Sequence, residues 1–293
     1  MRLARIATEV GPVAVVATSE GWIPVADILS GLRDAGDNLE VIERRRQLAV
    51  TIREPDTYPT FASDVKVLAP LARPGKLIGI GLNYRKHAQE VGLDQPTVPV
   101  TFAKFATSLQ PPRDTIPWRP DITNQLDYEV ELAVVIGDRC RDVSTSDALG
   151  YVGGYAVAND VSARDRQFSE GQWVRSKSFD GFCPLGPWIT TTDEIPDPQG
   201  LRLMTRVNGE LRQDGSTAEM SFGVAALVSF LSQGVTLEPG DVILTGSPPG
   251  VAMGRPDAPW LKAGDVVECA IERLGTLEHV VAQESTVMAA SLD

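Results

Sequence analysis

Glu129 and Glu131 stand two apart in the run LDYEVELAVVIG. Residues i and i+2 of a strand share a face, so both carboxylates project to the same side, about 7 Å apart along the chain. That side continues with Ala133 and Val135, while Tyr128, Val130, Leu132 and Val134 line the other. Both sides turn apolar within two residues, which predicts burial. Buried carboxylates need a cation or a proton. Asp160 adds a third oxygen ligand where the apolar run YVGGYAVAND meets a loop. Such a set selects a hard divalent ion, Mg2+ or Mn2+, with positions left open for water and substrate oxygens. By spacing alone, the two glutamates also fit solvated or salt-bridged positions on an amphipathic strand.

Further polar groups cluster around this set. His87 and Glu90 in NYRKHAQE have i, i+3 spacing, so on a helical turn they share one face. A carboxylate beside an imidazole orients the ring and raises its basicity, which makes a general base near neutral pH. A surface helix with an incidental pair shows the same pattern. Arg164, Gln167 and Lys177 follow Asp160, and Lys177 precedes the apolar segment SFDGFCPLGP. A lysine there can stabilise developing negative charge; a buried stem with its head in water is the other reading.

Composition removes competing chemistries. The chain holds two histidines, His87 and His279, so a site built from two or three imidazole ligands is nearly excluded. His279, in TLEHVV, has no polar companion in sequence and reads as structural. Cys140, Cys183 and Cys269 are far apart and odd in number, which argues against a disulfide framework or a thiolate zinc site. The formal charge of -12 lacks the basic footprint that nucleic acids or anionic membranes require. No apolar run reaches a membrane-spanning length, and the leading residues lack a secretory core, so a cytoplasmic location is expected. Gly79-Ile-Gly81 lacks the third glycine of a dinucleotide fingerprint, and Gly246-Ser-Pro-Pro-Gly250 is not a nucleophile elbow.

The elements that must position these residues are mostly strands. KLIGIGL, YEVELAVVIG, YVGGYAVAND, RLMTRVNG, DVILTG and DVVECAIERLG are strand-like by length, β-branching and flanking turns. Val13–Ala17 and Ile23–Ile28 read as further short strands, Leu39–Leu48 as a helix, and Glu54–Ser63 as a Pro-bearing linker. Glu219–Gln233 reads as a helix packed on a sheet through a Met220, Val224, Leu227, Val228, Leu231 stripe. Leu237–Val242 and Leu261–Val266 share the form L-x-x-G-D-V, a tight turn feeding a strand. Between them, Gly250–Trp260 reads as a surface loop. The whole predicts a β-rich α+β architecture, with residues 1–70 as a small leading module and 71–293 as the catalytic domain.

In order along the chain, GLNYRKHAQE, DYEVELAVVIG, GGYAVANDVSARDRQ, KSFDGFCPLGPW, VNGELRQ, LEPGDVILTGSPPGV and LKAGDVVECAIERLG resemble the segments of the fumarylacetoacetate hydrolase family. The likeness covers roughly residues 70 to 285, and the leading segment resembles the small N-terminal module of bacterial members. The resemblance implies a mixed β-roll catalytic fold and a homodimer. It makes Glu129, Glu131 and Asp160 ligands of Mg2+ (or Mn2+), His87 and Glu90 a water-activating dyad, and Lys177 a catalytic lysine. It further assigns substrate contacts to Arg164, Gln167 and Thr245. The family's TGTP signature reads TGSP here, with Ser247 in place of threonine. The expected activity is C–C bond hydrolysis of an acylpyruvate or another 2-oxo or 1,3-diketo acid (fumarylpyruvate- or fumarylacetoacetate-like). It would run through a metal-chelated enolate and belong to aromatic catabolism. The alternative is isomerisation or decarboxylation of 2-hydroxyhepta-2,4-diene-1,7-dioate-type acids, or oxaloacetate decarboxylation, at the same site.

Overall fold

Runs of β-branched and small residues cut by Gly and Pro become strands in the computed structural model, which describes residues 1–18, 21–52, 58–62, 64–256 and 260–284. The larger sheet runs in the order Trp22–Pro24, Gly11–Ala17, Arg2–Thr8, Cys183–Thr191, Val152–Asn159, Val130–Ile136, Val242–Leu244, Leu77–Gly81, Val100–Ala103. Along that path, among the described residues, only Val242–Leu244 and Leu77–Gly81 pair in parallel. A second, smaller sheet runs Glu210–Ser216, Arg202–Val207, Val266–Ile271, Gly275–Gln283, Thr115–Trp118. The architecture is the expected strand-rich α+β class.

The Val130–Ile136 strand is buried along its whole length because each face meets a separate apolar layer. Val130, Leu132 and Val134 pack with Leu203, Val267 and Leu277 of the smaller sheet. Ala133 and Val135 pack with Leu3, Ile42, Leu48 and Leu77. Glu129 and Glu131 share the Ala133/Val135 side, at the end of the strand where the apolar layer gives way to polar groups. The leading strands extend the same sheet, with Leu3 in register with Ile189.

Several local expectations change. Leu39–Leu48 is two short helices, Leu39–Glu43 and Arg45–Thr51, broken at Arg44. The break lets the buried Arg45 donate to the Ile42 and Gly137 carbonyls and to Asp138. Of the Ile23–Ile28 region only Ile23 and Pro24 are strand, at the end of Trp22–Pro24; Val25–Ile28 turns into a helix. The predicted Glu219–Gln233 helix starts later, at Val224. Upstream, Ser221 and Phe222 instead donate their amides to the Asn83 carbonyl and side chain. Part of the Glu54–Ser63 linker lies outside the described residues. All three cysteines are buried and free. His279 is structural as expected, yet it has a polar partner, the Pro111 carbonyl 2.8 Å from Nε2.

Candidate active site

The ends of the two central strands carry the acids. Glu129 precedes Val130–Ile136, and Asp160 follows its antiparallel neighbour Val152–Asn159. The Val130–Asn159 register therefore sets Asp160 beside Glu129, whose carbonyl accepts the Asp160 amide at 2.9 Å. One oxygen from each of Glu129, Glu131 and Asp160 lies within 4.8 Å of the other two, and all three residues are buried.

Cations meet this cluster from two sides. Lys177 donates to Glu129 Oε2 at 2.6 Å, to Ser162 Oγ at 2.8 Å and to Asp160 Oδ2. Its head is buried with its stem, so the ammonium does not stand in water. Arg164 donates to Asp127 Oδ2 at 2.8 Å, Glu129 Oε1 at 2.7 Å and Gln167 Oε1 at 2.9 Å. Burial opposes ionisation of Glu129, but Arg164, Lys177 and His87 outweigh it and hold its carboxyl well below the usual range. Burial also opposes the charged form of Lys177, and Asp160 and Glu129 reverse that, so its pKa is raised.

Glu131 differs. Its described partner is the Gly246 amide, 2.7 Å from Oε2. Burial, then the charges of Asp160 and Glu129, push its carboxyl well above the ordinary value. Three clustered buried carboxylates, one of them short of donors, fit a hard divalent cation, because the ion would supply the charge that Lys177, Arg164 and Lys104 leave uncompensated.

The His87–Glu90 pair lies on the helix Arg85–Glu90, as the i, i+3 spacing predicts. His87 Nδ1 stands 3.4 Å from Glu90 Oε2, and Nε2 faces Glu129 Oε1 at 3.8 Å. Glu90 is itself held by the Gly250 amide at 2.9 and 3.0 Å. The start of the Gly250–Trp260 region is thus no plain surface loop, and residues 257–259 lie outside the described residues. Val251 and Ala252 are buried, and Ala252 donates its amide to Asp127 at 2.7 Å.

His87, Glu129, Glu131, Asp160, Arg164, Gln167 and Lys177 all line one cavity with about 40 Å3 of free space. Thr245 does not line it: the side chain is fully buried and its hydroxyl donates to the Leu132 carbonyl at 2.9 Å. Ser247, two residues on, faces the cavity instead. Sequence reasoning missed Asp127, which anchors Arg164, although its alternation with Glu129 and Glu131 was a usable signal. It also missed Lys104, buried with Nζ 2.6 Å from Asp160 Oδ1 and bonded to the Lys177 and Phe182 carbonyls. Nothing in VPVTFAKF marks that lysine.

Residues 76–282 match the family model described as the fumarylacetoacetate (FAA) hydrolase C-terminal domain. The chain belongs to the fumarylacetoacetate hydrolase family. The mitochondrial oxaloacetate tautomerase of Rattus norvegicus is 48% identical over 220 residues, which is 75% of this chain and 70% of that protein. The solved fumarylacetoacetate hydrolase of psychrophilic Exiguobacterium antarcticum superposes with a TM-score of 0.87 at 38% identity, over 97% of this chain and 100% of that one. The maleylpyruvate hydrolase of Sphingobium sp. SYK-6 gives a TM-score of 0.81 at 30% identity, with coverage of 97% and 100%.

Proposed function

We propose that this chain is a Mg2+- or Mn2+-dependent hydrolase that cleaves a C–C bond in an acylpyruvate or related 2,4-dioxo acid. The observation that carries the reading is the convergence of Glu129, Glu131 and Asp160 on one cavity with His87, whose Nδ1 faces Glu90. Glu129, Glu131 and Asp160 would hold the cation. When bound, it supplies Lewis-acid stabilisation of negative charge on the substrate's 2-oxo oxygen and carboxylate.

The protein's own groups then divide the work. With Nδ1–H directed at Glu90, His87 keeps its lone pair on Nε2, which faces the cavity and can take a proton from water. The resulting hydroxide adds to the distal carbonyl carbon, the bond between C3 and C4 breaks, and a carboxylic acid and the enolate of pyruvate form. His87 returns the proton, and the enolate is protonated at C3. The charge of Lys177 lies where it can stabilise the oxyanion, and Arg164 fixes both Glu129 and Gln167 in place.

A second reading draws support from the tautomerase relative. Without hydration, proton transfer at C3 of a 2-oxo acid needs the same cation and base. An NMR assay with Mg2+ or Mn2+ on an acylpyruvate and on oxaloacetate tests both. Pyruvate plus a carboxylic acid from the acylpyruvate is expected. Keto–enol exchange of oxaloacetate with an untouched acylpyruvate would replace hydrolysis by the second reading, and loss of CO2 from oxaloacetate alone would make it a decarboxylase.

A further inference from the structure

The cavity has two unlike ends. Its floor is ionic, as described. Its mouth is built from Leu82, Leu93, Phe102, Phe168, Trp173 and Met253. Leu93 is 46% and Phe168 63% exposed, large apolar side chains held at the edge of a polar site with no core to bury them. Trp173 packs edge-on against Phe102 with ring centroids 5.7 Å apart. It lies over Gly81, where a Cβ would come within 2.4 Å of the indole. Phe102 also marks the border, with Lys177 Nζ 5.0 Å from its ring centroid.

Among the described residues, the cations lining this cavity, His87 aside, are Arg164 and Lys177. Both sit at the floor and are already engaged by carboxylates: Arg164 by Asp127 and Glu129, Lys177 by Glu129 and Asp160. A second carboxylate at the far end of a substrate would thus enter an apolar rim with no cation to meet it, at a desolvation cost. An apolar tail there would cover Leu93 and Phe168 from water.

We infer that the mouth is a subsite for an uncharged apolar acyl group, aliphatic or aromatic, and selects against dicarboxylic acids of the fumarylpyruvate type. This inference rests on the acylpyruvate reading of the site, and it narrows the substrate class within it.

The test separates binding from turnover. Inert 2-oxo acids with different tails, 2-oxo-4-phenylbutanoate and 2-oxoglutarate, are titrated calorimetrically into the Mg2+-loaded protein. The phenyl compound is expected to bind about tenfold tighter or more, as burial of several apolar carbons requires. Phe168→Ala and Leu93→Ala should each narrow that ratio. Equal or tighter binding of 2-oxoglutarate, or a ratio unmoved by both variants, overturns the subsite. In the turnover arm, benzoylpyruvate should exceed fumarylpyruvate in kcat/KM, and the reverse order overturns the inference while hydrolysis stands. If neither is cleaved but the binding ratio holds, hydrolysis fails and the apolar subsite survives.

Discussion

Two sets of buried carboxylates in this molecule behave in opposite ways. Asp241 and Asp265 belong to the repeated L-x-x-G-D-V turns, in which Gly240 and Gly264 take positive φ of 81° and 91°. Each aspartate accepts an amide from three residues back, Glu238 at 2.8 Å and Lys262 at 2.9 Å. Asp241 is fully satisfied, with the Lys76 amide at 2.8 Å and its ammonium at 2.7 Å in addition. Glu129, Glu131 and Asp160 instead crowd one another. Donors already in the fold balance a structural carboxylate; the Glu129, Glu131 and Asp160 cluster is short of donors, and a proton or an added cation is needed to relieve its crowding.

The contrast is broken most sharply by exchanging charge for amide at one site of each kind. Glu131→Gln should lower metal-dependent turnover by about a thousandfold. It should leave metal-free stability unchanged or slightly improved, since burial and the charges of Asp160 and Glu129 already disfavour the ionised carboxyl that the amide replaces. A Glu131→Gln protein with full activity would sink the ligand assignment. His87→Ala should slow turnover by about a hundredfold or more while Mn2+ affinity in calorimetry stays within error of the parent. Unchanged turnover would remove the base.

Asp241→Asn should do the reverse of Glu131→Gln. Urea denaturation should show a loss of about 2–3 kcal/mol, because Lys76 and the turn amides lose a charged acceptor, while kcat is retained. The smallest effect is a pH trend. Glu131 has a raised carboxyl pKa in the metal-free fold, so its stabilising contribution is complete below the ordinary carboxylate value and falls as pH rises through the folded one. A bound cation needs the ionised form and cancels that loss. The gain in Tm on adding Mn2+ should therefore widen as pH rises above the ordinary carboxylate value. A constant or shrinking gain would show that Glu131 is already ionised without metal.

Period-two alternation made the central strand and its two glutamates legible, because both of its faces had to be apolar for a strand clamped between two layers. The turn aspartates were legible for a local reason: the Gly and the Asp of each turn act within three residues of one another. Helix limits were less so. No glycine or proline marks the break at Arg44, which serves Arg45, whose partner Asp138 is remote in sequence. The same distance hid Lys104, which is 56 residues from Asp160. Thr245 shows the converse. The family resemblance implied a substrate contact, but the chain turns its hydroxyl to a neighbouring carbonyl.

Because Lys177 shares Glu129 and Asp160 with Arg164 and Lys104, the floor of the cavity is strongly epistatic. Neutralising one member, as in Lys177→Met, strands the charge of the others, whereas Lys177→Met with Asp160→Asn removes one charge of each sign, leaves Lys104 to its two carbonyls, and should cost the fold less than the sum of the single changes. Lineages that abandon the chemistry should lose these charges together rather than one at a time.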